Sequence, residues 1–174
     1  MKNNKVYKIC LTGLLAAVIA VFTAFVKMPT GINSGYLHFG DSVVYLSGCI
    51  LGPFGLISSA IGGALADILA GAAVWALPTA IIKALNSVPF IVAMKLYRNK
   101  KGKRKIVNTY TLIATVISAV ITIGGYFVAE GFMYSFPSAL TSVPFSIVQS
   151  IGSGIIFVLI GKALDVSKAE RFLG

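Results

Sequence analysis

Charged side chains are scarce in this sequence. They make up 11% of the residues, whereas hydrophobic residues make up 57% and the mean hydropathy is +0.89. A soluble domain needs more charge than this to keep its surface hydrated. The composition therefore excludes an ordinary soluble protein and predicts an integral membrane protein.

Residues that carry common enzyme chemistry are also missing. A single histidine cannot form a multi-histidine metal site. The two cysteines, Cys10 and Cys49, lie in or beside apolar stretches and imply neither a disulfide nor a metal site. The sequence contains no GxxxxGKS/T, HExxH or GxSxG motif. We therefore predict that the chain is not an enzyme, holds no cofactor, and draws no energy from nucleotide hydrolysis of its own.

Long apolar stretches, separated by polar or Gly/Pro breaks, are what the sequence does contain. A spanning helix needs roughly 20 such residues, and the strict alternation of membrane β-strands is absent. The sequence predicts an all-α integral membrane protein, a single domain over residues 1–174 with six transmembrane helices. We expect these helices at residues 8–27, 40–51, 54–74, 78–97, 109–129 and 140–164.

The net charge of +10 is concentrated in three places. Basic residues lie at the N-terminus, between the fourth and fifth predicted helices, and near the C-terminus. With six crossings these places fall on one side, which the positive-inside rule makes cytoplasmic, as it does both termini. The run at residues 98–105 is interpreted as a determinant of topology, and no nucleic-acid partner is expected.

Four ionisable residues lie in apolar surroundings towards the opposite, outer face: Asp41, Asp67, Lys83 and Glu130. An isolated charge inside a bilayer is costly. We therefore expect Lys83 to pair with Asp67 or Asp41, or else one of the four to contact a ligand.

Polar residues also recur at helical spacing on two predicted helices, which indicates a shared polar interior. This interior is either an outward cavity or a set of hydrogen bonds between helices. The two series are Thr79, Lys83, Asn86 and Phe90 on the fourth helix, and Ser142, Ser146, Gln149 and Ser153 on the sixth.

Two single residues near the outer face leave alternatives open. The first outer connection, residues 28–39, is rich in Gly, Asn and Ser, which suits a loop that closes over an entrance. His38 in this connection has either a structural or capping role or a ligand contact. Trp75 either belongs to an interfacial belt or stacks on a ligand ring.

Small residues on the first helix permit close packing. Ala16, Ala20 and Ala24 follow one another at i, i+4 spacing. The pattern predicts either internal helix packing or docking to another membrane subunit.

Six short blocks, taken in this order, resemble the substrate-binding S components of energy-coupling factor (ECF) vitamin transporters, in the riboflavin or hydroxymethylpyrimidine branch. The resemblance covers essentially the whole chain. The blocks are GYLHFGD at 35–41, LGPFG at 51–55, LAD at 65–67, TAIIKAL at 79–85, GYFVAE at 125–130 and VPFSIVQ at 143–149.

The resemblance implies a vitamin-binding subunit of the bacterial cytoplasmic membrane that works with a transmembrane T subunit and two cytoplasmic ATPases. Ala16, Ala20 and Ala24 match the alanine motif that docks on the T subunit. The ligand is expected near the outer face, beneath the first outer loop. The expected ligand contacts are Asn33, Tyr36, His38, Trp75, Lys83, Asn86, Glu130, Tyr134 and Gln149, whereas Asp41 and Asp67 are expected to be architectural partners of Lys83.

A cavity with amide, carboxylate and aromatic groups suits a small heteroaromatic molecule. Because acids exceed bases there, we prefer hydroxymethylpyrimidine, a B6 vitamer or a thiamine-like compound, with riboflavin close behind. The alternative function is a self-contained, proton-coupled secondary carrier that uses Asp67, Lys83 or Glu130 as a relay. A membrane enzyme is a weaker alternative, since no nucleophile and base pair is visible.

Overall fold

A computed structural model describes residues 4–29, 36–101 and 105–167 of the chain. Six α-helices dominate the described residues, which confirms the all-helical prediction. In chain order the elements are α1 (Asn4–Ala24), β1 (Lys27–Pro29), β2 (Tyr36–His38), α2 (Asp41–Leu51), α3 (Phe54–Leu69), a 3₁₀ turn η1 (Ala73–Trp75), α4 (Ala76–Lys101), α5 (Thr109–Met133) and α6 (Phe136–Val166).

Each predicted helix is present, but some ends differ. α3 ends at Leu69 instead of residue 74, because Gly71 adopts a φ of 78°, a left-handed conformation that terminates helices. α6 begins one turn earlier than residue 140, because the Ser135 hydroxyl accepts the N–H of Ser138 and caps the helix there. The turn at Gly71 and the cap at Ser135 therefore determine where these helices end and begin. The hydrophobic stretches determine which parts of the chain are helical.

The connection between α1 and α2 contains a small antiparallel hairpin. Its register pairs Lys27 with His38, Met28 with Leu37, and Pro29 with Tyr36. We had expected only a loop here, since strands of three residues are too short to show a clear alternation. We call this end of the bundle the hairpin end, and the opposite end, where α4 finishes, the basic end.

The helices carry apolar residues outwards and polar residues inwards. On α5, Thr111, Ser118, Thr122 and Glu130 are buried. Lipid has no water with which to satisfy polar groups, so they belong inside the bundle. The exposed residues of the same helix include Leu112, Ile113, Val116, Ile117 and Val120.

Four segments are long and apolar enough to cross a bilayer: Lys5–Ala24, Ala73–Lys101, Thr109–Met133 and Phe136–Val166. Helices α2 and α3 are shorter, with 11 and 16 residues. Every residue of α2 except Ile50 is buried, so this helix lies inside the bundle instead of on its surface. The chain is therefore a multi-pass membrane protein, and the prediction of six crossings stays a prediction.

Three aromatic rings form the centre of the apolar core. Tyr45 on α2 stacks on Phe90 of α4, with ring centroids 4.5 Å apart. Phe157 of α6 packs edge-on against both rings, at 6.0 Å from Tyr45 and 5.0 Å from Phe90. Such ring pairs stabilise a core beyond the area they bury, and here they fix α2, α4 and α6 relative to one another.

The alanine series of α1 faces the interior. Ala16, Ala20 and Ala24 are each only 4% exposed. A Cβ on Gly62 of α3 would lie 2.6 Å from the carbonyl oxygen of Ala16, so the two backbones are in close contact. These alanines therefore pack against α3 within the chain, and their docking on another subunit stays a prediction.

The connection from α4 to α5 is tied to α6 at the basic end. The two carboxylate oxygens of Asp165 accept the N–H groups of Ile106 at 2.7 Å and Val107 at 3.0 Å. Asn108 then caps α5 through a reciprocal capping box with Thr111. Asp165 thus uses both of its oxygens on backbone donors.

Candidate functional site

An ion pair joins α2 and α4 at the hairpin end. The Nζ of Lys83 donates to the Oδ1 of Asp41, and both side chains are fully buried. This confirms that Lys83 pairs with an acid, and it identifies the partner as Asp41. A buried pair offsets its desolvation only when further hydrogen bonds satisfy the remaining polar atoms.

Two more side chains supply those bonds. The Nε2 of Gln149 donates to the second oxygen of Asp41 at 2.9 Å, and its Oε1 accepts the backbone N–H of His38 at 3.3 Å. The Nε2 of His38 lies 3.2 Å from the Nζ of Lys83. We call His38, Asp41, Lys83 and Gln149 the polar network. It ties the hairpin to α2, α4 and α6.

The imidazole of His38 is neutral at physiological pH. Burial is the main reason that the pKa of His38 falls from 6.5 to about 3, and the Lys83 ammonium lowers it as well, while the Asp41 carboxylate opposes both. The N–H of Gly40 approaches the other ring nitrogen, Nδ1, at 3.1 Å. Because a neutral imidazole accepts at one nitrogen only, the tautomer of His38 decides whether Gly40 or Lys83 donates to it.

A glycine on α3 makes room for the lysine. A Cβ on Gly63 would lie 2.8 Å from the Cγ of Lys83 and 3.1 Å from the Cγ2 of Thr79. Any side chain at this position would push the stem of Lys83 away from α3. The absence of a side chain at Gly63 therefore lets the long side chain of Lys83 lie between α3 and α4.

Three aromatic residues cluster beside the polar network. Trp75 lies in η1, and its ring centroid is 5.9 Å from that of Tyr126 on α5 and 6.2 Å from that of Tyr134 at the end of α5. The Nζ of Lys83 lies 5.8 Å from the centre of the Tyr126 ring. We call Trp75, Tyr126 and Tyr134 the aromatic cluster. Trp75 is only 5% exposed, whereas Tyr134 is 44% exposed.

A buried amide lies further along the same face of α4. The Nδ2 of Asn86 donates to the hydroxyl of Thr122 at 2.8 Å, and the backbone oxygen of Asn86 accepts from the hydroxyl of Ser118. The Oδ1 of Asn86 has no hydrogen-bond partner among the described residues. An unsatisfied buried acceptor is costly, and a ligand N–H or O–H would satisfy it.

The structure brings most of the predicted ligand residues to the hairpin end. His38, Lys83 and Gln149 lie in the polar network, and Trp75 and Tyr134 lie in the aromatic cluster. Asn86 and Glu130 are also buried, and the backbone carbonyl of Glu130 accepts the N–H of Tyr134. Tyr36 lies in β2, and Asn33 lies outside the described residues.

Sequence reasoning missed a polar face on α5. Ser118, Thr122, Tyr126 and Glu130 follow one another at i, i+4 spacing and face the interior beside α4. The hydroxyl of Tyr126 lies 3.4 Å from that of Thr79 inside the bundle. The helical spacing was visible in the sequence and would have revealed this face.

Comparison with known proteins gives a consistent result. Residues 3–166 match the family described as ECF-type riboflavin transporter, S component. An uncharacterized protein of Pyrococcus woesei is 32% identical over 79% of this chain and 87% of its own length. A UPF0397 protein of Lactiplantibacillus plantarum is 30% identical over 69% of this chain and 67% of its own length.

Proposed function

Since this chain belongs to the ECF-type riboflavin transporter S component family, we propose that it is the high-affinity substrate-binding subunit of an ECF-type importer. S components bind a small vitamin and work with a T subunit and ATPase subunits, and the family is a transporter family, not an enzyme family. The proposed substrate is a small heteroaromatic vitamin or vitamin precursor. The proposed location is the bacterial cytoplasmic membrane.

The observation that carries this proposal is the aromatic cluster beside buried polar groups. Trp75 and Tyr126 offer ring faces for stacking, and Asn86 offers an acceptor that has no described partner. A flat heteroaromatic ring presents the complementary groups, a π face and polar edges. We propose that the ring lies against the aromatic cluster and that a ring substituent reaches towards Asn86.

The polar network has a different proposed role. Its members satisfy one another, so they hold the hairpin against α2, α4 and α6 and give the site a rigid wall. The pairing of Lys83 with Asp41 removes one charge of each sign, so the excess of acids is unchanged. We test riboflavin first, in keeping with the family description, followed by hydroxymethylpyrimidine, B6 vitamers and thiamine.

The first experiment identifies the ligand. The protein is purified in detergent, denatured, and the released small molecules are analysed by mass spectrometry. Each candidate is then titrated into ligand-free protein while tryptophan emission is recorded, because Trp75 is the single tryptophan of the chain. We expect stoichiometric quenching at nanomolar ligand concentration, since an aromatic ring that stacks on Trp75 changes its emission.

Calorimetry of two variants locates the ligand. Trp75→Ala is expected to weaken binding by about tenfold or more, since a lost ring contact is worth about 1.4 kcal/mol. Phe132→Ala is the matched control, because Phe132 is an aromatic residue of the same end that is 81% exposed. Equal loss in both variants, or no binding across the vitamin panel, contradicts the proposal. Accumulation by vesicles that hold only this chain and a pH gradient supports the secondary carrier instead.

The T subunit is proposed to contact the outer face of α1. Ala16, Ala20 and Ala24 are covered by the chain itself, whereas Gly13 and Ala17 are exposed and small. Ala17→Trp is expected to abolish uptake by the assembled transporter while vitamin binding stays intact. If Ala17→Trp transports normally, the contact lies elsewhere.

The proposed orientation has the basic end in the cytoplasm, as the positive-inside rule predicts. Lys105→Cys in a Cys10→Ser, Cys49→Ser background tests it, because Lys105 is exposed at that end. The thiol is expected to react with a membrane-impermeant maleimide only after the cells are opened. Labelling in intact cells would reverse the orientation.

A further inference from the structure

A groove runs between α4 and α5 on the surface that faces lipid. Its volume is about 370 Å³, and its lining is apolar except for Tyr110 near one end. Val92 on α4 and Ile117 on α5 line it and are each 48% exposed. The groove is therefore open to the hydrocarbon of the bilayer, whereas the polar network is buried inside the bundle.

The α4 wall of this groove continues into the basic end. Val92, Leu96 and Lys100 follow one another at i, i+4 spacing, so Lys100 extends the groove-lining row. Arg98 and Lys101 lie in the same last turn of α4. Cationic side chains thus stand directly at one end of an apolar channel.

These cations are not neutralised by the described part of the chain. Arg98, Lys100, Lys101 and Lys105 are exposed, and none forms an ion pair with a described acidic residue. Asp165 is the described acid of this end, and its two oxygens accept backbone N–H groups of the α4–α5 connection. The four basic side chains are therefore available to an external anion.

Two tyrosines mark the boundary between the apolar and the cationic parts. The rings of Tyr97 and Tyr110 meet edge to face, with centroids 6.5 Å apart. Tyrosine prefers the level of the lipid headgroups, where its ring is apolar and its hydroxyl is hydrated. The pair therefore places this end of the groove at the interface and the cations just beyond it.

The length of the groove fits one leaflet. From Leu85 to Leu96 the α4 wall extends about 16 Å at 1.5 Å per residue. Half of a hydrocarbon core of about 30 Å is about 15 Å. An acyl chain that fills the groove would therefore bring its own headgroup to the level of Lys100.

A second groove provides a natural comparison. It lies between α5 and α6, has a volume of about 470 Å³, and is also apolar. Beyond its Leu159 the helix α6 carries Lys162 and then Asp165, one charge of each sign, in place of a basic run. Both grooves are apolar, but among the described residues only the α4–α5 groove ends in a cluster of cations.

From this juxtaposition we propose that the α4–α5 groove is a binding site for an anionic phospholipid. One acyl chain lies along Val92 and Ile117, and the phosphate is held among Arg98, Lys100, Lys101 and Lys105. A determinant of membrane topology requires only the positive charges, whereas a lipid-binding site also requires the apolar groove that leads to them. The site goes beyond the vitamin-binding function, and its cations lie at the opposite end of the bundle.

Fluorescence quenching by brominated lipids tests the proposal on the full chain. Trp75→Phe removes the native signal, and Tyr110→Trp places a probe at the mouth of the α4–α5 groove. The protein is reconstituted into phosphatidylcholine vesicles that contain 10% of either dibromo-phosphatidylglycerol or dibromo-phosphatidylcholine. We expect the phosphatidylglycerol lipid to quench the probe at least twofold more strongly than the phosphatidylcholine lipid.

Four further variants make the result specific. Leu112→Trp in the same background probes the α5–α6 groove at a similar depth, and there the two lipids are expected to quench equally. Lys100→Gln, Lys101→Gln and Lys105→Gln together are expected to remove the preference at position 110. Val92→Phe, at an exposed lining position, is expected to reduce quenching there, whereas Val116→Phe in the other groove is not.

Two outcomes would overturn the site. Equal phosphatidylglycerol preference at positions 110 and 112 would mean that anionic lipid gathers around the whole protein without a specific site. If the phosphatidylglycerol preference at position 110 persists in the triple glutamine variant, the cations do not hold the lipid. If it persists in Val92→Phe, the groove does not hold the lipid. Circular dichroism of each variant checks that the helices are retained, because Trp75 is buried and Tyr110 packs against the core.

Discussion

At the hairpin end, Lys83 is fully buried and bonded to Asp41, whereas at the basic end Lys100 and Lys101 are exposed and form no ion pair with a described acid. The two ends belong to the same helix, α4, about 25 Å apart along its axis at 1.5 Å per residue. One helix therefore carries lysines in two opposite environments.

The difference follows from what surrounds each lysine. A cation inside the bundle must be paired and hydrogen-bonded, so Lys83 requires Asp41, and Asp41 in turn requires Gln149. A cation at the membrane surface is hydrated, so its partner is exchangeable. Buried charge here specifies structure, and exposed charge leaves a surface open to solvent, lipid or another protein.

The strongest test of this contrast is the removal of one member of the buried pair. Lys83→Met leaves the Asp41 carboxylate buried without its cation, and a loss of about 3–5 kcal/mol in unfolding free energy is expected. Thermal unfolding in detergent measures it. Lys101→Met, the matched change at the basic end, is expected to cost less than about 0.5 kcal/mol.

A double variant separates the pair from its surroundings. Asp41→Leu with Lys83→Met removes both charges, so its loss of stability is expected to be smaller than the sum of the two single losses. If the single variants unfold within a few degrees of the natural protein, the pair does not stabilise the hairpin end and the contrast is wrong.

A smaller effect is expected from filling the space beside Lys83. Gly63→Ala adds a Cβ that would lie 2.8 Å from the Lys83 Cγ, and overpacking of this kind costs about 1–3 kcal/mol. Gly13→Ala is the control on α1, where a Cβ meets no atom within 4 Å. That variant is expected to be neutral or slightly stabilising, because alanine favours helix by about 1 kcal/mol over glycine. Equal behaviour of the two variants would refute the close fit around Lys83.

Not every polar contact at the hairpin end is expected to matter as much. Tyr126→Phe removes a hydroxyl that lies 3.4 Å from that of Thr79, a long contact between neutral groups, and keeps the ring in the aromatic cluster. A loss below about 1 kcal/mol is expected. Thermal unfolding of Tyr126→Phe and Lys83→Met in the same detergent measures the difference. A loss of unfolding free energy in Tyr126→Phe as large as that in Lys83→Met would contradict this prediction.

The last test of this comparison concerns pH. The pKa of His38 falls to about 3, so the folded imidazole stays neutral down to pH 5, while an unfolded histidine would titrate near pH 6.5. The stability that this group contributes is therefore present above pH 6.5 and declines as the pH falls towards 3. NMR of the single histidine in folded protein is expected to show no titration between pH 8 and pH 5. A midpoint near 6.5 would mean that the imidazole is hydrated.

Much of the site could be predicted because its residues are conspicuous in the sequence. Lys83, His38 and Trp75 stand out as rare residue types in apolar surroundings, and Lys83 and Asn86 share a helical face. The structure brings them to one end. The spacing of Ser118, Thr122, Tyr126 and Glu130 on α5 is equally visible in the sequence and predicts a further interior face.

Other features depend on contacts between distant residues. The hairpin pairs Lys27 with His38, but its strands are too short to leave a pattern. The spacing of the alanines on α1 suits packing inside the chain and packing against another subunit equally well. The structure places Gly62 of α3 against Ala16. Spacing identifies a face of a helix, but it does not say what covers that face.

By itself, the sequence determined the class of this protein: a helical membrane protein whose few acids lie in apolar surroundings and whose basic residues gather at helix ends. Hydropathy and helical period are local properties, so local reading recovers them. The tertiary structure alone decided that Lys83 pairs with Asp41, that Gln149 completes the pair, and that Ala16 faces α3. These choices depend on which helices are neighbours, and a buried charge takes the partner that the packing brings within bonding distance.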